Sequence, residues 1–440
     1  MYNQVLSLSR YALVILFAYY TYSCFAALRR HIDEERQEFL FFRQTACMYL
    51  FLLLANGILF LTTFDIGIVR LLMMELCFFI ATGLIYKFIY QNASVSVTNN
   101  MCMLLAISFV ILTRLDIDKA RRQFVIACAA LAVSCLVPLI IKRLPFLNRM
   151  TWGYAAIGLT GLALVCFGGA ETYGARLSLS IGGVAFQPSE FVKIVFVFFV
   201  ASALEHAKDR RQLLMATVIA GLHILLLVAS RDLGGAGILS ITYLVMLYVA
   251  SGRAAYLTLG GVLVSAALFL SYHLFAHVRV RVSAWMDPLK DIDGAGYQIS
   301  HSLFAIGTGG WFGMGLYRGM PERIPVVEKD FIFSAVSEEL GAVFALCLIF
   351  ICISCFLLFF NISMQISDRF YKLVALGLGT VYATQTFLMI GGVIRFIPST
   401  GVTLPLVSYG GSSLMSTMVL FAIIQGMYLM REGAALERRI

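Results

Sequence analysis

Residues 340–360 read LGAVFALCLIFICISCFLLFF, a run without one Asp, Glu, Lys or Arg. A helix of roughly 20 such residues crosses the hydrocarbon core of a bilayer. Runs of this kind recur from end to end. The 440-residue chain is 60% hydrophobic and 13% charged, with a mean hydropathy of +0.89. A soluble chain of that length would hold two or three domains; this composition excludes that reading. Apolar runs predict about thirteen spans, near 11–28, 45–63, 69–91, 100–114, 123–141, 151–170, 187–205, 212–230, 234–251, 255–275, 332–360, 370–393 and 412–431. The expected fold is therefore an all-α polytopic membrane protein. The first run lacks the basic flank and small-residue cleavage site of a signal peptide, and reads as a retained span.

The ten cysteines lie almost entirely inside these runs. Cys352 and Cys355 have CxxC spacing but no partner pair or nearby His, so they read as small buried residues, not as a metal or redox site. The six histidines show no metal spacing, and His301 reads as a polar loop residue. The net charge of +9 falls in short clusters between spans. That pattern speaks for orientation and lipid headgroups, and against nucleic acid.

Basic clusters at 142–149, 205–212, 361–372 and the tail 433–440, with Arg29, Arg30 and Arg36, place those segments in the cytoplasm and the N-terminus outside. One loop dissents, because Arg114, Lys119, Arg121 and Arg122 then lie outside. The same orientation puts the polar segment 275–331 on the outer face. A loop of about 55 residues is functional or disordered, and its aromatics, glycines and mixed charges argue for function. The polar stretch QNASVSVTNN (91–100) reads as a join between three N-terminal spans (1–97) and a ten-span body (98–432).

Chemistry-bearing residues gather in five outside-facing stretches. GARLSL (174–179) places Arg176 beyond a span. In FQPSEFVKI (186–194), Pro188 suits a helix start, Gln187 or Ser189 a cap, and Glu190 and Lys193 share one face as an ion pair or a cavity lining. SRDLGGAG (230–237) sets Arg231 and Asp232 at a turn between spans. RFIPSTGVTLPLVSYGGSSL (395–414) carries Arg395, Ser408, two prolines and three glycines, so its backbone lines a cavity or is covered by protein. The long loop holds DPLKDIDGAGYQ (287–298) and ends in DFIFSAVSEELG (330–341), whose Glu338 and Glu339 enter the next span to pair with cations or line a pocket.

Taken in chain order the stretches resemble the SEDS family (shape, elongation, division and sporulation), the RodA, FtsW and SpoVE group, over roughly 98–432. The resemblance implies a bacterial cell-wall synthase with ten core helices. Such a synthase polymerises lipid II outside the cytoplasmic membrane beside a class B penicillin-binding protein. It implies Asp291 as the catalytic carboxylate, Glu190 and Lys193 as a polar pair, and Asp232 and Arg176 as further site residues. Two departures stand out: RLSL follows the glycine at 174 where the family has Arg-Trp, and SR precedes the DLGG. The first three spans lie outside the family's core.

The chemistry fits these residues. Joining a sugar 4-hydroxyl to an anomeric carbon with inversion needs one carboxylate base, worth about 10²–10⁴-fold. A departing pyrophosphate needs cations, and Lys193, Arg176 and Arg395 are candidates. Glu338 and Ser408 are expected to line the substrate pocket. Asp293 is the rival base; only the resemblance favours Asp291. No cofactor is demanded, although a divalent cation (Mg or Mn) is compatible with the chemistry. The alternative function is a lipid II flippase, for which many spans and broken helices also suit. A flippase needs a polar path across the whole membrane, whereas these residues cluster toward the outer ends of the spans.

Overall fold

The computed structural model describes residues 2–29, 33–144, 146–172, 175–181 and 184–437, apart from the side chains of 2–6, 170–177, 180, 181, 184 and 432–437. Three helices come first: α1 (Tyr2–Ala27), α2 (Glu34–Thr63) and α3 (Ile66–Phe88). They are followed by α4 (Val95–Leu115), α5 (Ile117–Arg143), α6 (Thr151–Gly168), α7 (Pro188–His206), α8 (Arg210–Ala229), α9 (Leu233–Ser251) and α10 (Ala254–Leu274). Two shorter helices, α11 (Ala276–Met286) and α12 (Tyr297–Gly309), precede α13 (Ile332–Gln365), α14 (Arg369–Val393) and α15 (Gly411–Glu437). Among the described residues eleven helices are long and apolar enough to cross a membrane, and α1 and α7 match them in length. The segment 275–331, expected as a long polar loop without a span of its own, holds two short helices.

The only strands among the described residues are β1 (Ala170–Thr172), β2 (Ala175–Ile181) and β3 (Val184–Phe186), two antiparallel hairpins between α6 and α7. Strand β2 takes in residues 175–179 of the GARLSL stretch.

Helix α4 runs through the middle of the bundle and is buried along nearly all its length, from Thr98 to Arg114. Here the expected join at 91–100 is corrected, because most of it is the first turns of α4. Polar side chains of its first turns bond neighbouring helices. Tyr20 Oη donates to Asn100 Oδ1 at 3.0 Å, Asn100 Nδ2 to Ser354 Oγ at 3.3 Å, and Asn99 Nδ2 to Gln44 Oε1 at 3.0 Å. Gln425 of α15 closes the N-terminus of α4, bonding the Ser94 N–H at 2.9 Å and its carbonyl at 2.8 Å. Polar residues glue apolar helices in this way where lipid offers them no partner.

The span expected at 332–360 is interrupted. At Gly341, φ is 91° and ψ 169°, so α13 breaks six residues after Ala335 and resumes at once. The glycine-rich segment after α12 lies in the gap. Met314 N–H donates to Glu338 O and Gly315 N–H to Glu339 O, both at 2.9 Å. In return Ala342 N–H reaches Gly310 O at 2.9 Å and Val343 N–H reaches Trp311 O at 3.1 Å. Four backbone groups beside the break are thereby satisfied, as burial requires.

The dissenting basic loop also finds its reason. Arg114 binds Glu339 at 2.7 Å and Glu322 at 3.2 Å, Lys119 binds Glu328 at 2.6 Å, and Arg121 binds Asp118 at 3.1 Å. The 114–122 turn and segment 275–331 therefore share one end of the bundle, and carboxylates offset the cations there.

Gly341→Ala tests the break. A Cβ there would lie 2.3 Å from Gly313 N, at a φ that L side chains rarely adopt. The variant should lose about 1–3 kcal/mol from backbone strain alone, read as a lower melting temperature in detergent. Gly57→Ala in α2, where nothing lies within 4 Å, should melt no lower than the parent.

Candidate active site

The polar centre of the loop-bearing end forms where α7, α9, α14 and α15 meet. Pro188 starts α7 as expected, and Gln187 holds the N-cap position without a capping side-chain bond; its amide donates instead to Ser189 Oγ at 3.2 Å. One turn on, Glu190 and Lys193 form an ion pair of 2.8 Å, with side chains only 11% and 8% exposed. Lys193 Nζ also donates to Gln385 Oε1 at 2.7 Å, and Gln385 Nε2 passes the chain to Thr403 O at 3.0 Å. Ser416 Oγ donates to Glu190 Oε2 at 3.3 Å. The pair is thus wired to α14, to α15 and to the unwound segment between them. Asp232 caps α9, accepting from Gly235 N–H at 2.8 Å, and stands in the field of Lys193 and Glu190 with a hydrogen bond from Ser189. Gly234 lets the unwound segment press against α9, since a Cβ there would meet Val402 at 2.6 Å and Thr400 O at 3.2 Å.

Asp291 lies elsewhere at this end, in the exposed turn between α11 and α12. Its Oδ2 accepts from Ala295 N–H at 2.9 Å, and its backbone oxygen accepts from Gly294 and Gly296 at 3.2 and 3.0 Å. Glycine is needed at 294, where a Cβ would come within 2.5 Å of both carboxylate oxygens. Asp287 and Asp293 are exposed, and the turn docks on α12 through Ser300 Oγ, which donates to Pro288 O at 3.0 Å. Among the described residues no hydrogen bond or ion pair joins Asp291 directly to the Glu190–Lys193 pair.

Arg395 is spent on structure. With φ at 61°, it turns its guanidinium to the last carbonyls of α11, donating to Trp285 O at 2.7 Å and Met286 O at 2.6 Å. Trp285 Nε1 answers with a bond to Arg395 O at 3.2 Å. A cation at a helix C-terminus complements the macrodipole, and this one pins the Asp291 turn to the unwound segment. Ser408 is likewise a stitch, buried between Leu404 N–H at 2.9 Å and Lys329 O at 2.5 Å. Glu338 accepts from Met320 N–H at 2.9 Å through one oxygen, while its other oxygen is buried without a partner. Arg176 lies on β2, and its side chain is outside the described residues.

Sequence reasoning missed Gln385, Ser416 and Arg114. Gln385 is a lone amide in an apolar helix, and that isolation was its signal. Arg114 looked like an orientation anomaly. Among the described residues no group of three His, Cys, Asp or Glu side chains converges as metal ligands do.

The family model described as "Cell cycle protein" (FtsW, RodA, SpoVE) matches residues 92–431. Peptidoglycan glycosyltransferase RodA of Mycobacterium tuberculosis is 34% identical over 359 residues, covering 74% of this chain and 75% of that protein. Stage V sporulation protein E of Bacillus subtilis is 31% identical, covering 69% and 84%. Among solved structures, a peptidoglycan synthase complex reported for its coordination of polymerization and crosslinking contains a chain that aligns at a TM-score of 0.65 with 25% identity, covering 77% of this chain and 98% of that one. RodA of Thermus thermophilus aligns at 0.57 with 24% identity, covering 76% and 96%. Helices α1 to α3 precede the matched region.

Glu190→Gln leaves Lys193 without its counter-charge in a poorly solvated place. A cost of about 3–5 kcal/mol is expected for breaking such a pair, seen as a lower melting temperature in detergent. Glu190→Gln with Lys193→Met should regain part of the loss. No change in the single variant would show that the two charges contribute nothing to folding.

Proposed function

The chain belongs to the FtsW/RodA/SpoVE family, and from that premise we propose how its own residues extend a glycan strand. It is a peptidoglycan glycosyltransferase, a multi-pass protein of a bacterial membrane. The substrate is lipid II. The acceptor 4-hydroxyl oxygen attacks the donor's anomeric carbon on the face opposite the lipid pyrophosphate. That carbon–oxygen bond breaks with inversion, and the hydroxyl proton passes to Asp291.

One observation carries the choice of Asp291. Its turn holds one carboxylate oxygen against Ala295 N–H, leaves the group exposed, and is fixed to the bundle by Arg395 and Ser300. A positioned, solvent-accessible carboxylate is what a general base for an incoming sugar requires. Asp293 carries no such hydrogen bond among the described residues, which favours Asp291 over its neighbour. Glu190, Lys193 and Asp232 keep the floor beside the unwound segment polar, and Glu338's unpartnered oxygen marks a second polar spot.

The body from 98 to 432 is assigned the chemistry, with segment 275–331 on the outer face, the N-terminus outside and the C-terminus in the cytoplasm. The partner is a class B penicillin-binding protein that cross-links the strand. The residues do not separate elongation, division and sporulation.

Two experiments test this. Asp291→Asn keeps size and polarity but accepts no proton, so purified variant should bind lipid II yet polymerise at least about 10²-fold more slowly. Asp293→Asn should lose far less; a dead Asp293→Asn beside a near-normal Asp291→Asn would move the base by two residues. For orientation, Lys290→Cys should react with an impermeant maleimide in intact cells, and Ser367→Cys only after permeabilisation. The reverse pattern would turn the protein over.

A further inference from the structure

Of the three cations that sequence offered for the pyrophosphate, Lys193 is engaged by Glu190 and Gln385, and Arg395 caps α11. A different cationic group faces the same end. His277 and Arg281 stand one turn apart on α11, and Arg231 precedes the Asp232 cap of α9 with φ at 63°, a strained setting for a residue other than glycine. Arg281 reaches the unwound segment, where its Nη1 donates to Ser399 O across a long 3.4 Å. A Cβ on Gly401 would lie 3.6 Å from Arg281 Nη2 and 3.7 Å from Asp330 Oδ2, so these two side chains flank that glycine.

Two buried polar atoms there lack any hydrogen-bond partner, His277 Nε2 and Thr400 Oγ1. Leaving a buried polar atom unpaired is unfavourable, and two beside a pair of arginines point to a ligand rich in acceptors. Burial, then the charges of Arg281 and Arg231, push the His277 imidazole below its ordinary value, so it is neutral near pH 7 and carries one N–H to give. The ligand's remaining character comes from what lies beneath. Helix α10 leads straight into this group and turns apolar side chains outward, among them Leu268, Leu270 and Leu274. An anion whose tail runs down a lipid-facing helix fits both halves.

We propose that the donor's lipid-linked pyrophosphate is held by Arg281, with His277 and Arg231 beside it, over the backbone of residues 399–401. The inference rests on the polymerase reading and deepens it. Arg281 is on the short helix that ends at Met286, just before the Asp291 turn, so leaving group and base are carried by one element. Arginine suits the task because its planar fork matches phosphate oxygens bidentately.

The test uses the full chain in detergent and titrates farnesyl pyrophosphate, with farnesol, inorganic pyrophosphate and phosphatidylglycerol as comparisons. The wild type should bind farnesyl pyrophosphate more tightly than any of the three. Arg281→Gln should weaken that binding about tenfold or more, Arg281→Lys less, and farnesol affinity should be unchanged in both. In lipid II polymerisation the KM of Arg281→Gln should rise. Unchanged affinity in Arg281→Gln overturns the proposal, and so does an equal loss for farnesol, which would mark a structural role. Phosphatidylglycerol binding as tightly as farnesyl pyrophosphate would make this an ordinary anionic-lipid site and also overturn it. A wild type that binds farnesyl pyrophosphate with the expected Arg281 dependence, yet makes no glycan from lipid II, would overturn the polymerase reading and leave the anion site standing.

Discussion

A helix that breaks inside an apolar bundle must find partners for the amides and carbonyls it frees, because hydrocarbon offers none. At Gly341 the partners come from residues 310–315, and much of the loop-bearing end follows from that exchange. The insertion fixes the C-terminal end of α12. Ser302 then ties the middle of α12 to Ser334 at 2.7 Å and to Val393 O at 3.1 Å. With both supports in place, α12 presents the Asp291 turn at its other end as a rigid element rather than a free loop.

The same insertion explains why the first helix belongs to the structure and is not an appendage. Phe17 of α1 stacks on Phe344 just past the break, with ring centroids 3.9 Å apart, while Arg10 Nη1 donates to Gly313 O inside the inserted segment at 2.9 Å. Tyr11 packs on Phe312 at 5.3 Å. Helix α1 therefore splints α13 just past its break and the segment inserted there. Arg114 works from the opposite flank, holding Glu339 on α13 and Glu322 in the segment, with its guanidinium 4.4 Å from the Tyr317 ring. Charges scarce in the sequence are concentrated on immobilising one surface.

How much of this was legible depends on the kind of signal. The helical, membrane-spanning type was, because runs such as 340–360 report directly on the solvent around them. Pro188 and the i,i+3 spacing of Glu190 and Lys193 likewise gave the helix start and the ion pair. What escaped depends on distant partners. Gly341 reads as an ordinary helical glycine until residues 310–315 are set beside it. Asn99 and Asn100 read as linker residues until Gln44, Tyr20 and Ser354 surround them. Arg395 looked like a phosphate ligand, yet the free carbonyls of α11, more than a hundred residues earlier in the chain, claim it. The alternation in ARLSLSI was a strand signal, overlooked among so many helices.

The central claim is that this immobilised end of the bundle makes glycan rather than moving lipid across the bilayer. The direct measurement supplies lipid II to the purified chain in vesicles, together with a class B penicillin-binding protein whose transpeptidase serine is blocked, and sizes the products on a gel. The account predicts a ladder of uncross-linked glycan strands. Lipid II that crosses the vesicle bilayer while no strand forms would contradict it.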